Sequence, residues 1–242
     1  MEMFKMTADE ISALDPELAI IPVGSIEQHG PHLPVMTDWA IATELGKRVA
    51  EEMGAFLLPA LPISTCREHM GKKGSVWMEA TTFYQMMHDI IMSLKEQGFK
   101  KVAILQAHGG IFISTPLVRD LNAKFQPELQ IALVCPYNSE TAITETAGLH
   151  ADESETSQML ALAPETVHMD RAVDFTPDVP RPYLNYGSIF RACPDGVWGT
   201  PSKATAEKGE AVLKENVRVV VEEINKAFEY MSDKEKFGYS NF

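Results

Sequence analysis

The sequence predicts an α/β fold: a mostly parallel central sheet with helices on both faces. Three observations predict it. Short apolar runs of strand length alternate along the 242 residues with amphipathic segments of helix length. The helical segments keep their apolar residues three or four apart. Histidines and carboxylates gather just after the apolar runs, at the edge where a parallel sheet holds its ligands.

Leu18–Val23 reads as the first buried strand and is followed by the loop Gly24–Thr37. Asp38–Met53 reads as a helix, with Ile41, Leu45 and Val49 one turn apart on one face. Ala55–Leu58 is the second strand. Thr82–Gln97 is helical through Phe83, Met86, Met87, Ile90, Ile91 and Leu94, and Gly98 stops it. Lys101–Gln106 is the third strand, Ile113–Phe125 a helix, and Gln130–Cys135 a fourth strand leading to Pro136-Tyr137-Asn138. Glu153–Leu162 is a helix ended by Pro164. A last helix from Thr205 to Tyr230 carries the stripe Leu213, Val217, Val220, Val221, Ile224 and Phe228. Asp174–Lys203 is rich in Pro, Gly and aromatics and lacks periodicity. It either covers a site or meets another subunit, or it is a plain surface connection. With no internal repeat, residues 1–242 read as one domain.

The net charge is 21 − 34 = −13, which argues against nucleic acid and anionic membrane as partners. The hydrophobic share of 45% supports a sizeable core, and the charged share of 23% is ordinary for a globular chain. Cys66, Cys135 and Cys193 are three, far apart and without a CxxC, so neither a disulfide framework nor a thiolate zinc site follows. No apolar stretch approaches the roughly 20 residues that span a bilayer. The N-terminus lacks the pattern of a signal peptide, and a cytoplasmic location is expected.

The chemistry is concentrated after the strands. The first is followed by Gly24-Ser-Ile-Glu27-Gln-His29-Gly-Pro-His32, then Thr37-Asp38; the second by Arg67-Glu68-His69; the third by Ala107-His108-Gly109-Gly110. Four of the seven histidines sit there, which a random scatter would not favour. Glu27 and His29 are two apart, so in an extended loop they share a side. Asp38 opens a helix, where its carboxylate either caps the helix or faces the loop. Imidazole plus carboxylate without thiolate suits Zn²⁺, Mn²⁺ or Fe²⁺, and Asp38 is the natural bridge if two ions are bound. A second cluster, His150-Ala-Asp152-Glu153-Ser-Glu155, opens a helix. The helix dipole accounts for Glu153, whereas His150 and Glu155 can reach the same sheet edge.

These residues carry a resemblance. Ile21–Asp38 (IPVGSIEQHGPHLPVMTD), Ala107–Gly110 (AHGG), His150–Ser157 (HADESETS) and Gly196–Gly209 (GVWGTPSKATAEKG) resemble, in order, the creatininase (creatinine amidohydrolase) family. The resemblance implies a three-layer α/β/α fold, two divalent metal ions (Zn, Mn or Fe), and homo-oligomers, commonly hexamers. It implies hydrolysis of an amide-like C–N bond in a small molecule, often a ring. By position it implies Glu27, His29, Asp38 and His108 as metal ligands with Asp38 bridging, Glu155 supporting or ligating the second metal, and His150 transferring protons.

The chain departs from the family in three places. His108-Gly109-Gly110-Ile111 stands where creatininases resemble His-Tyr-Glu-Asn and many relatives His-Gly-Gly-Asn. Lys72-Lys73-Gly74-Ser75 stands for Phe-Pro-Gly-Thr, and Asp152 for a glycine. These changes fall where substrate would sit and turn the reading away from creatinine itself. Sister activities on the same site, a formamide deformylase, a peptide-processing enzyme or a sugar-ring hydrolase, are the alternatives. Arg67, Lys72 and Lys73 either favour a phosphorylated or acidic substrate or are solvated loop charges. A non-catalytic metal-binding protein and a Rossmann-type nucleotide binder stand further off; GSIEQHG lacks the glycine spacing for pyrophosphate.

Overall fold

The computed structural model describes residues 3–136 and 143–233. Its centre is a sheet of four parallel strands, β1 (Leu18–Val23), β2 (Phe56–Leu57), β3 (Lys101–Gln106) and β4 (Gln130–Val134), in the order β2-β1-β3-β4. Side chains alternate across the strands, and the two faces build two separate apolar clusters. Ile20, Ala103, Leu105, Ala132 and Val134 meet one set of helices: α2 (Thr37–Met53) through Ile41, Leu45 and Val49, α5 (Glu153–Leu162) through Met159, and α6 (Ala206–Ser232) through Leu213, Val217, Val220 and Ile224. Ala19, Ile21, Val23, Val102, Ile104 and Ile131 meet the other: α3 (Ala80–Glu96) through Phe83, Met87 and Ile91, and α4 (Ser114–Phe125) through Leu117 and Leu121. Helix–sheet–helix layering follows, as expected. Each fully buried Leu, Ile or Phe of these stripes contributes about 1.5–3 kcal/mol.

One α-helix among the described residues was not expected. α1 (Ala8–Leu14) buries no residue, so it has no apolar stripe to announce it. Its signal is a capping box at Thr7-Ala8-Asp9-Glu10: Thr7 N donates to Glu10 Oε2 (2.8 Å) and Glu10 N to Thr7 Oγ1 (3.4 Å). Elsewhere the differences are at the ends. α3 begins at Ala80 rather than Thr82, and β4 stops at Val134, one residue before Cys135. Tyr137 and Asn138 lie outside the described residues.

The register fixes where the chemistry meets. Val23 pairs with Gln106, so the β1 and β3 strands end side by side, and Ala107 N donates to Val23 O (2.9 Å). His108 therefore emerges beside the loop that carries Glu27 and His29. Gly24 lets that loop fold back on α2: a Cβ there would stand 2.6 Å from the Trp39 backbone. Asp38, in the first turn of α2, is thereby brought to the same edge. His150 arrives through an antiparallel bridge with Trp198.

The segment Asp174–Lys203 is a chain of short 3-10 turns, among them Arg181–Tyr186 and Ile189–Arg191. It bridges back through Phe175–Gly199. The three cysteines are free, two of them buried. Among the described residues no helix is long and apolar enough to cross a membrane.

Candidate metal centre

Seven side chains from five stretches of sequence converge at the carboxyl edge of the sheet. Glu27 and His29 are fully buried, and Asp38, His69, His108, His150 and Glu155 are each less than 10% exposed. His29 Nε2 lies 3.1 Å from Asp38 Oδ1 and 3.6 Å from Glu155 Oε2. His108 Nδ1 lies 3.2 Å from Glu27 Oε2 and 3.1 Å from Asp38 Oδ2. His69 Nε2 lies 3.1 Å from Glu27 Oε1. Asp38 thus faces two imidazoles, one from each oxygen.

The backbone selects which ring nitrogens point inward. His29 Nδ1 donates to the Glu27 carbonyl (3.1 Å), which leaves Nε2 facing Glu155 and donating to Asp38 Oδ1 (3.1 Å). His108 Nε2 donates to Thr65 O (3.1 Å), with Glu68 Oε1 also at 3.5 Å, which leaves Nδ1 facing Glu27 and Asp38. In the metal-free protein these two inward nitrogens hold protons toward the carboxylates; once those protons leave, their lone pairs face the same point as the carboxylate oxygens, where a cation fits.

The oxygens tell the same story. Both oxygens of Glu27 and Oδ2 of Asp38 are buried with no hydrogen-bond partner among the described residues. Yet ring nitrogens stand 3.1–3.2 Å from these atoms. The atoms are close but not aligned for hydrogen bonds. Donor atoms bonded to one ion at about 2.1 Å are themselves about 3.0–3.4 Å apart, so this spacing is that of ligands around a common centre. Ligand atoms of Glu27, His29 and Asp38 lie within 4.8 Å of one another, as do those of His29, His150 and Glu155, and those of Glu27, His69 and His150. The donor set fits one or two divalent cations.

Proton affinities report the same field. Burial alone would lower His29, but Asp38 and then Glu155 push it up to about 10. His108 is raised well above the ordinary imidazole value, chiefly by Glu27 against the cost of burial. Asp38 is held far below the carboxylate range by His29 and His108, despite burial. Burial pushes Glu27 and Glu155 up to about 8. Burial, and then the charge of His108, hold His69 down to about 3, and burial with His69 and His29 keeps His150 well below the ordinary value.

α5 positions the last two side chains. Asp152 is its N-cap, accepting from Glu155 N (2.9 Å). Ala151 adopts φ 50°, a left-handed conformation, and its N–H donates to Glu155 Oε2 at 2.6 Å. His150 Nε2 donates to the Gln28 carbonyl (2.7 Å), leaving Nδ1 3.7 Å from Glu27 Oε1.

A cavity of about 790 Å³ opens over this cluster. Asp38, Glu68, His69, His108, His150 and Glu155 line it, and Arg181, Leu184, Asn185 and Ile189 of the Asp174–Lys203 segment line it too. That segment forms part of the site wall.

The match to known proteins can now be stated. A family profile described as creatinine amidohydrolase covers residues 4–224. The chain belongs to the creatininase family. A 3-dehydro-scyllo-inosose hydrolase of Thermotoga maritima is 31% identical, over 87% of this chain and 76% of the relative. The creatinine amidohydrolase of Pseudomonas putida is 26% identical, over 86% of this chain and 89% of the relative. A solved creatininase superposes with a TM-score of 0.79 at 25% identity, covering 93% of this chain and 96% of the other. Other solved creatininases are described as a Zn-Zn type and as a Mn form.

All five residues that the creatininase resemblance nominates as ligands, Glu27, His29, Asp38, His108 and Glu155, are in the cluster, and His150 adjoins it. Asp38 does not cap its helix: the cap position is Met36, and no side chain caps it. His32, also at the strand end, stands apart, its Nε2 paired with Thr156 Oγ1 (2.9 Å). Glu153 is structural: it accepts from Glu145 N, Thr146 N and Lys208 Nζ. Lys72 and Lys73 are exposed and do not line the cavity.

Sequence reasoning placed Glu68 and His69 at a strand end but gave them no role. It missed Gln28, whose Oε1 accepts from Gly30 N (3.0 Å) and whose Nε2 therefore meets His69 Nδ1 at 2.9 Å. No periodicity or spacing singles out Gln28.

Proposed function

We propose that this chain is a metal-dependent hydrolase of the creatininase type, acting on a C–N bond of a small cyclic amide or related compound. The observation that carries the reading is the buried pair Glu27 and Asp38: both Glu27 oxygens and Asp38 Oδ2 lack hydrogen-bond partners among the described residues, while imidazole nitrogens stand 3.1–3.2 Å from them. Glu27, Asp38 and His108 would hold one divalent ion, and His29, Asp38 and Glu155 a second, with Asp38 shared. Bound there, Zn²⁺ or Mn²⁺ supplies polarisation of a substrate carbonyl and a lowered pKa for solvent.

The remaining work falls to the protein. His150 lines the cavity and, with its lowered pKa, enters the reaction neutral. It is suited to accept a proton from the attacking water and return it to the leaving nitrogen. The Gln28 carbonyl orients its ring. The Asp174–Lys203 wall limits the water that reaches the cluster.

A second reading, hydrolysis of a carbocyclic or sugar-like ring, is favoured by the inosose hydrolase relative at 31% identity. One panel tests both. Metal-loaded protein is assayed on creatinine, simple lactams, a formamidopyrimidine and a cyclic inosose. Turnover that a chelator and His108→Ala abolish is expected. A fully metallated protein that turns over none of them contradicts the proposal. We also propose a cytoplasmic homo-oligomer acting on a small molecule.

A further inference from the structure

The two glycines after His108 leave space that other side chains use. A Cβ on Gly110 would overlap the Glu68 carboxylate, and a Cβ on Gly109 would stand 2.9 Å from Arg181 Nη2. Arg181 Nη2 donates to the Gly109 carbonyl (2.9 Å), and its guanidinium stands over the Phe112 ring at 5.7 Å. Gly109 therefore admits an arginine from the distant 181–186 turn onto the cavity wall, one residue from His108.

Arg181 differs from the other arginine on this wall. Arg67 is bound to Glu79 and stands over Trp77. Among the described residues no carboxylate pairs with Arg181, and its remaining N–H groups have no protein acceptor. A guanidinium held by one nitrogen keeps a free edge with the fork geometry that takes an oxyanion. It lines a cavity whose opposite chemistry is carboxylate and imidazole.

We propose that Arg181 anchors an oxyanion of the substrate, a carboxylate or phosphate, while the bond to be cleaved lies over the His29–Asp38–His108 cluster. This rests on the hydrolase reading of that cluster and names its substrate class: a small amide or ring compound that carries an anionic group. Gly109 and Phe112 are the positioning residues, one by leaving space and the other by supporting the guanidinium face.

The probes are 5-oxoproline and its uncharged carboxamide, titrated calorimetrically into metal-loaded protein. Charge-assisted hydrogen bonds of this kind are worth about ten- to a hundredfold in affinity, so 5-oxoproline should bind tighter than the amide by that factor. Arg181→Gln should erase the difference and leave amide binding and metal content unchanged; Arg181→Lys should keep part of it. Gly109→Ala should act in the direction of Arg181→Gln. Stronger displacement of 5-oxoproline by glycerol phosphate than by acetate assigns the subsite to phosphate, the reverse to carboxylate. A preference for 5-oxoproline that persists in Arg181→Gln overturns the proposal, because the metal then supplies it, and leaves the hydrolase reading intact. Loss of the preference in a protein that hydrolyses nothing removes only the hydrolase reading.

Discussion

His108 Nδ1 stands 3.1 Å from Asp38 Oδ2, and Asp38 Oδ1 stands the same distance from His29 Nε2. The carboxylate thus spans two imidazoles whose other nitrogens are tied to backbone carbonyls. Asp38→Asn keeps the shape and removes the charge that both rings face. Since a change behind a metal ligand costs about 10–100-fold in affinity, loss of the bridging ligand itself should exceed a hundredfold. Metal content by mass spectrometry and hydrolysis should fall together.

Glu68 supports His108 from behind, with Oε1 3.5 Å from Nε2, but Thr65 O at 3.1 Å shares that task. Glu68→Gln should therefore weaken metal binding only modestly, by about tenfold, the low end of such effects. A chelator competition assay measures it.

His150→Ala separates proton transfer from metal binding. Removing a positioned acid–base group costs about 10²–10⁴ in kcat. Metal content should be unchanged, although His150 shares ligand-distance groups with Glu155 and Glu27. Metal lost along with activity would make it a ligand instead.

Metal binding should release protons. Burial pushes Glu27 and Glu155 up to about 8, and despite burial Asp38 pushes His29 up to about 10 and Glu27 raises His108 well above the ordinary imidazole value, so at pH 7 the metal-free cluster holds several protons. A cation needs these carboxylates ionised and these imidazoles neutral, and must displace those protons. Affinity should therefore fall as pH drops, by about tenfold per unit for each proton displaced. Calorimetry at pH 7 in buffers of different ionisation enthalpy should show net proton release; no buffer dependence would contradict it.

The sheet was legible because its strands are uniformly apolar and its helices keep strong stripes, as in Ile41, Leu45 and Val49 of α2. α1 was not, because Thr7–Leu14 buries nothing and offers only a cap. At the site, Glu27, His29, Asp38 and His108 stood out as histidines and carboxylates after strands, and a parallel sheet brings such points together. Gln28 and Arg181 did not. Gln28 acts across the chain through its side-chain amide on His69 and through its backbone carbonyl, which accepts from His150. Arg181 reaches the site from 72 residues beyond Gly109, in a segment without periodicity. Both depend on tertiary approach that no local pattern encodes. The sequence drew attention to Arg67, Lys72 and Lys73 instead, because they are near the site in the chain; Arg67 is spent on Glu79.

Anomalous-scattering maps from crystals grown with zinc, recorded on both sides of the absorption edge, test the metal centre most directly. Two peaks about 3.5–4 Å apart are predicted, one among Glu27, Asp38 and His108 and the other among His29, Asp38 and Glu155. Absence of any peak within about 2.0–2.2 Å of those donor atoms would contradict the account.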